Sequence, residues 1–407
     1  MNEKSKVRLW TMPFILLIIV NVFNATAGQM TFPLVADFAM SLGAKITVAS
    51  SIAGLMSLAA LFVCPVAGVI SDYLPKKLIL SVSSICYAVF LFLHAFCTSI
   101  PMLIILRLVT GIFFSIINVT VVAYSSGFIA KERLGEGLGY AGLANILAQA
   151  LGPAVSLSLE KTFGFYSVFY AAGACALAAF LLLFAMPKAN EVQNEAMPKK
   201  KLTLNSIFAW DYTIFMLLAV LFAACSSMIL TYLKIIADER NIAGIALFFT
   251  VYSAAMVVMR PFTGKFMDKF GVYKIVIPAI ILGSVSIVMI GFAYSLPMMI
   301  AASILMAFGQ GAGTPSLQAH TIKKLDKNQS GVATSTIQIG MNIGHAFSPM
   351  IGSFFVTSFG YEAMLSGVGA ILLVFGSLLL FMQYTKEKNV DLNKKSHFIA
   401  SATFLYR

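Results

Sequence analysis

Arg107 stands in an otherwise apolar run, 101–126, and a cation at that depth must be held by protein or water because hydrocarbon does not solvate it. Amides recur in the same kind of setting. Asn21, Asn24 and Gln29 fall in the first apolar run, and Asn118 follows Arg107 in its own. Asn145 and Gln149 stand four residues apart, as do Gln338 and Asn342, so each pair shares one helical face. His345, just beyond the second pair, is of the type that exchanges a proton near neutral pH. Asp37 closes the first run. These groups hydrogen-bond, pair charge and pass protons. The chain has no phosphate-binding glycine loop, no grouped Ser/His/Asp and no Cys/His spacing that suits a metal, so catalysis, ATP hydrolysis and a resident cofactor are not expected. The amides either line a water-filled cavity or hydrogen-bond one helix to another. Arg107 either faces water or binds backbone carbonyls of the first two helices.

The elements that position these residues are membrane spans. The 407 residues are 59% hydrophobic and only 11% charged, too little charge for the surface of a soluble chain of this size. Twelve apolar runs are long enough to cross about 30 Å of hydrocarbon as helices: 13–36, 45–70, 78–97, 101–126, 137–159, 164–186, 212–235, 243–267, 274–294, 297–319, 331–357 and 361–384. The net charge of +12 suits nucleic acid at first sight, but the basic residues follow topology. With the N-terminus inside, 22 of the 28 Lys and Arg fall in cytoplasmic segments and four outside: Lys45, Lys161, Lys234 and Arg240. This positive-inside bias predicts that both termini are cytoplasmic, in a cell membrane, and excludes nucleic acid as the partner. Cys64, Cys86, Cys97, Cys175 and Cys225 all fall in spans and read as free thiols.

The chain repeats itself at an offset of 196 residues. Pro65, Gly68 and Asp72 return as Pro261, Gly264 and Asp268; Ser99-Ile-Pro-Met returns as Ser295-Leu-Pro-Met. Gly152-Pro153 answers to Ser348-Pro349, and Gly164-Phe165 to Gly360-Tyr361. The repeat divides the chain into an N-terminal six-helix bundle (1–186), a polar cytoplasmic linker (187–210), a C-terminal six-helix bundle (211–385) and a mobile cytoplasmic tail (386–407). The fold class is therefore all-α integral membrane, with twelve transmembrane helices in two pseudo-symmetric bundles. Duplicated halves of this kind belong to transporters in which one half rocks against the other around a central site.

Gly68-Val-Ile-Ser-Asp72-Tyr-Leu-Pro-Lys76-Lys77 resembles the cytoplasmic loop signature of the major facilitator superfamily, and Gly264-Lys-Phe-Met-Asp268-Lys-Phe-Gly271-Val-Tyr-Lys274 is its partner in the second half. The first copy departs from the pattern at Tyr73 and at Pro75, where glycine is usual. By the resemblance, each aspartate meets the start of a helix in the other half when the cytoplasmic side is closed: Asp72 near Ser330, and Asp268 near Gly135. The alternative is that both aspartates solvate loop ends. Arg107-Leu-Val-Thr-Gly111 resembles the family's fourth-helix motif, whose arginine tunes proton coupling or touches anionic substrate. Gly139, Ala148, Gly152 and Pro153 partly match the fifth-helix motif of the drug–proton antiporter branch. There small residues keep a close approach to the eighth helix, and the alternative is an ordinary kinked helix.

The resemblance implies a secondary transporter that exports a small organic molecule against protons by alternating access; a proton-linked importer is the alternative, and a receptor is a weaker one. All 16 Asp and Glu residues fall near run ends or in loops, so no carboxylate sits inside the first helix to meet a lipophilic cation. An anionic, zwitterionic or neutral solute suits Arg107 and the amides better. The expected partners are that solute, protons and lipid, and the expected state is a monomer.

Overall fold

The computed structural model describes residues 10–129, 134–186, 209–324 and 330–405. Six long helices span the first half among the described residues: α1 (Met12–Thr31), α2 (Ile46–Tyr73), α3 (Lys76–His94), α4 (Ile100–Ser125), α5 (Leu134–Phe163) and α6 (Phe165–Phe184). The second half begins α7 (Thr213–Glu239), α8 (Ala246–Phe270), α9 (Tyr273–Gly291) and α10 (Leu296–Lys324). The last helical stretch, Ser330–Leu405, is broken at Gly360 (φ 79°, ψ 174°), which divides it into α11 (330–359) and α12 (361–405). Among the described residues, ten helical stretches are long and apolar enough to span a membrane; the last of them contains two crossings, and α8 supplies the remaining one. At 1.5 Å per residue, stretches of 19–30 residues reach about 30–45 Å, enough to satisfy every backbone group within the helix while crossing lipid. Twelve crossings return the chain to the side from which it started. The two faces are therefore named the terminus-side face and the far face.

The repeat is written in the backbone as well as in the residues. Gly164 and Gly360 both have φ of 79°, a left-handed conformation that side chains disfavour, and each makes the junction between the last two helices of its half. The halves differ where the sequence predicted it. Gly271, with φ of 81°, turns the chain from α8 into α9, whereas Pro75 carries the corresponding α2–α3 turn at φ of −56°.

Within each half the same pairs of helices pack: α1 with α5 and α7 with α11, α2 with α4 and α8 with α10, α3 with α6 and α9 with α12. Across the halves, α2 packs on α11 and α5 on α8, two contacts that the repeat exchanges. Three boundaries differ from expectation. The first span ends at Thr31, and Val35–Ser41 forms a separate short helix carrying Asp37 at the far face. α7 continues to Glu239, because Ile235-Ile236-Ala237 is apolar enough to extend the span, so Lys234 is a helix residue and not a loop residue. The stretch 386–405, expected as a mobile tail, prolongs α12 as helix, since it contains neither proline nor glycine to stop it. Of the linker, 187–208 lies outside the described residues.

Candidate functional site: the seam between the halves

The seam is tight towards the far face and slack towards the terminus-side face. A Cβ built on Gly54, eight residues into α2, would stand 2.1 Å from the Ala346 carbonyl oxygen of α11, so only glycine permits this contact. Fourteen residues further along α2, about 21 Å at helical rise, a Cβ on Gly68 would meet nothing within 4 Å among the described residues. Gly142, near the terminus-side end of α5, is open in the same way. Between these levels, Ile146 of α5 packs with Met256 of α8 and Ala307 of α10.

Polar groups fasten the far end. The Tyr232 hydroxyl of α7 donates to the Pro349 carbonyl of α11 (2.6 Å) and hydrogen-bonds Ser50 Oγ of α2 (2.9 Å). Two residues on, the Lys234 ammonium, 8% exposed, pairs with Asp37 on the short helix. It lies 2.8 Å from Asp238 on its own helix and 3.7 Å from Glu160 at the end of α5. Lys234 and Asp238 belong to the second half, Asp37 and Glu160 to the first. Nearby, Arg240 donates to the carbonyls of Gly291 and Ala293 (both 2.7 Å), covering the C-terminal end of α9, and its guanidinium lies over Tyr294. Tyr294, in the loop after α9, donates to Glu362, and that bond to a carboxylate raises the phenol above its ordinary range.

Arg107 is 1% exposed and tied within its own half. It donates to Thr31 Oγ1 (3.1 Å) and to the Ala53 carbonyl (3.5 Å), and its guanidinium carbon lies 5.6 Å from the Phe32 ring centre. These are contacts with the end of α1, the loop that follows it, and α2. Its Nε, the Tyr87 hydroxyl and Asn24 Oδ1 are buried without a hydrogen-bond partner, while Asn24 Nδ2 donates to Ser84 Oγ (3.3 Å). Asn21 is buried beside them in α1, and Gln29 is half-buried with Oε1 unpartnered.

The amide pairs of α5 and α11 divide differently. Asn145 and Gln338 are exposed, Gln149 is half-buried and Asn342 is 7% exposed. Gln338 Nε2 donates to Asn342 Oδ1 (3.3 Å). At about 100° per residue, Gln338 lies opposite the exposed Phe347, and Asn145 lies opposite the exposed Leu147. Each helix thus has an open apolar face and, on its other side, an open amide. Asn118 turns back on its own helix, donating to the Phe114 carbonyl (2.9 Å), and His345 joins α11 to α7 through Ser226 Oγ (3.0 Å).

The loop-motif residues are only partly described. The side chains of Asp72 and Asp268, and the surroundings of Gly264, Gly135 and Gly139, lie outside the described residues, as does the Ser330 side chain. Lys77 donates to the Met186 carbonyl, Lys76 is half-buried and Lys274 is exposed. In α5, Ala148 is buried and Pro153 lies inside the helix. Gly152 does not face α8 as expected. A Cβ there would lie 2.4 Å from Gln29 Cβ, so the small residue admits α1 of its own half, because the α5–α8 contact runs through the face carrying Ile146.

Lys234 and Tyr232 are not among the site residues expected from the sequence. The available signal was a lysine four residues before Asp238 in a run that stays apolar beyond it.

Comparison with known proteins agrees with this architecture. The family model for the Major Facilitator Superfamily matches residues 17–248 and 215–405. The multi-drug resistance efflux pump PmrA homolog of Lactococcus lactis is 23% identical over 351 residues, covering 83% of this chain and 85% of that one. The multidrug resistance protein MdtG of Enterobacter lignolyticus is 24% identical over 323 residues, 77% of each chain. Among solved structures, a peptide transporter POT superposes with a TM-score of 0.76 at 13% identity, over 93% of this chain and 96% of that one. The chain belongs to the major facilitator superfamily, and is a multi-pass membrane transporter and not an enzyme.

Proposed function

We propose that the chain exports small organic molecules across the cell membrane in exchange for protons, by alternating access, with both termini in the cytoplasm. The observation that carries the reading is the unequal seam along α2, in contact with the other half at Gly54 and open at Gly68. Two halves that meet at one end and part at the other form a cleft open to one side only. The exposed amides Asn145 and Gln338 fit that geometry, since an amide facing lipid is costly and one facing a water-filled cleft is not. On this reading the structure is the state open towards the cytoplasm, and the amides of α5 and α11 receive the solute. Arg107 serves as a pin for α1 and α2 within the first half, because two of its donors hold Thr31 and the Ala53 carbonyl.

Export, in preference to import, is supported by relatives named as multidrug efflux pumps and by the partial fifth-helix motif. The solute is neutral, zwitterionic or anionic, as α1 has no carboxylate to greet a lipophilic cation. Everted membrane vesicles supplied with respiratory substrate test this. A solute panel should include at least one compound that accumulates inside them and leaks out when an uncoupler is added. Accumulation that ignores the uncoupler removes proton coupling, and accumulation in right-side-out vesicles alone favours import.

A further inference from the structure

Lys234 sits among three carboxylates drawn from both halves, and the balance of charge there is unequal. Its ammonium bonds Asp37 and Asp238, leaving Glu160 at 3.7 Å. Asp238 is 60% exposed and screened by water, whereas Glu160 and Asp37 are 19% and 23% exposed. One ammonium against three carboxylates leaves two negative charges in a site partly cleared of water. The apolar wall is the Phe165 ring, 6.0 Å from Lys234 Nζ. Other charges at this face are engaged elsewhere or point to solvent: Arg240 and Glu362 belong to the end of α9, Glu239 accepts from Tyr361, and Lys45 and Lys161 are exposed.

When the halves part at this face, Asp37 and Glu160 leave with the first half and stand in water. Closing brings them against Lys234 and Asp238. Lys234 compensates one of them, and the surplus carboxylate is stabilised by taking a proton. Glu160 is that carboxylate, being the one outside hydrogen-bonding reach of Lys234. We propose that Glu160 is the proton-uptake site of the far face, loaded from the outer medium as that face closes behind a released solute. The proton comes from external water and forms an O–H on the Glu160 carboxyl, lowering the cluster from two net negative charges to one. Acid on the outer face therefore favours the closed far face. This inference rests on the proton-coupled reading above.

The test uses the full chain in lipid nanodiscs, with spin labels at Lys45 and Ala243 across the far face and their distance distribution recorded from pH 5 to pH 8. The closed-to-open ratio should rise on acidification by up to tenfold per pH unit across the titrating range. Glu160→Gln, which mimics the protonated group, should hold the far face closed with no pH response. Asp238→Asn, a change at an exposed side chain, should flatten the response by removing one of the competing carboxylates, and serves if Glu160→Gln does not fold. A wild-type distribution indifferent to pH overturns the proposal, as does a full pH response in Glu160→Gln. The two levels separate cleanly. Wild-type export that ignores uncoupler defeats the proton-coupled reading, whereas uncoupler-sensitive export with an unaltered pH response in Glu160→Gln defeats only this assignment.

Discussion

Replacing Gly54 and Gly68 one at a time should push the transporter in opposite directions. An added methyl on Gly54 meets backbone, the Ala346 carbonyl at 2.1 Å, and a main-chain atom in a packed helix has nowhere to swing. Relief requires α2 and α11 to separate by about an ångström, and overpacking of this kind costs about 1–3 kcal/mol. Under the proposed alternating access the cost falls on the state in which the far face is closed, since the opposite state would part the two helices there. Gly54→Ala should therefore enrich the far-open state by about fivefold to a hundredfold. Gly68→Ala has free space in the present state and should cost nothing here. Its methyl obstructs closure of the terminus-side face, so it should enrich the present state. The assay is the rate at which a single cysteine at Ser50, fully buried under Tyr232, reacts with a membrane-impermeant thiol reagent on whole cells, in a background without the native cysteines. Gly54→Ala should accelerate labelling and Gly68→Ala should slow it. Equal labelling rates in both, with normal expression and folding, would refute the reasoning from the seam.

Arg107→Ala should lower the melting temperature in detergent, each lost charged hydrogen bond being worth about 1.5–3 kcal/mol, while transport per folded molecule stays normal; a stable protein with no turnover would instead place Arg107 in the solute path. Arg240→Ala should destabilise the second half by about 1–2 kcal/mol through loss of the cap on α9, read as a lower melting temperature with unchanged turnover. Asn145→Leu and Gln338→Leu should fold normally and lose transport, since each removes an amide from the proposed cleft; full transport in both would assign those amides to lipid. A cysteine at Asn393 should resist impermeant maleimide on intact cells and react after permeabilisation, and ready labelling from outside would invert the topology.

The architecture was legible because hydrophobic run length and a repeat at constant offset are properties of sequence itself. Gly164 and Gly360 show the repeat carried down to a single backbone angle. The ends of spans were less legible. In sequence Lys234 looks like a loop residue because a charge in an apolar run usually marks its edge, and only the fold brings Asp37 and Glu160, 197 and 74 residues away in the chain, to its side. Arg107 was recognisable as a buried cation, but whether it faces a cleft or a neighbouring carbonyl depends on helix rotation, which periodicity in a uniformly apolar helix does not fix. Gly152 illustrates the same limit: a small residue announces a close approach without naming the helix that approaches.

Alternating access requires that the halves exchange which end is closed. Distances measured by spin labels at both ends of the same molecule test it: Lys45 with Ala243 across the far face, and Leu74 with Lys274 across the terminus-side face. Adding a transported solute and cycling pH should lengthen the first distance while the second shortens, with the two populations changing in step. Two distances that move together, or neither moving while transport proceeds, would contradict alternating access about this seam.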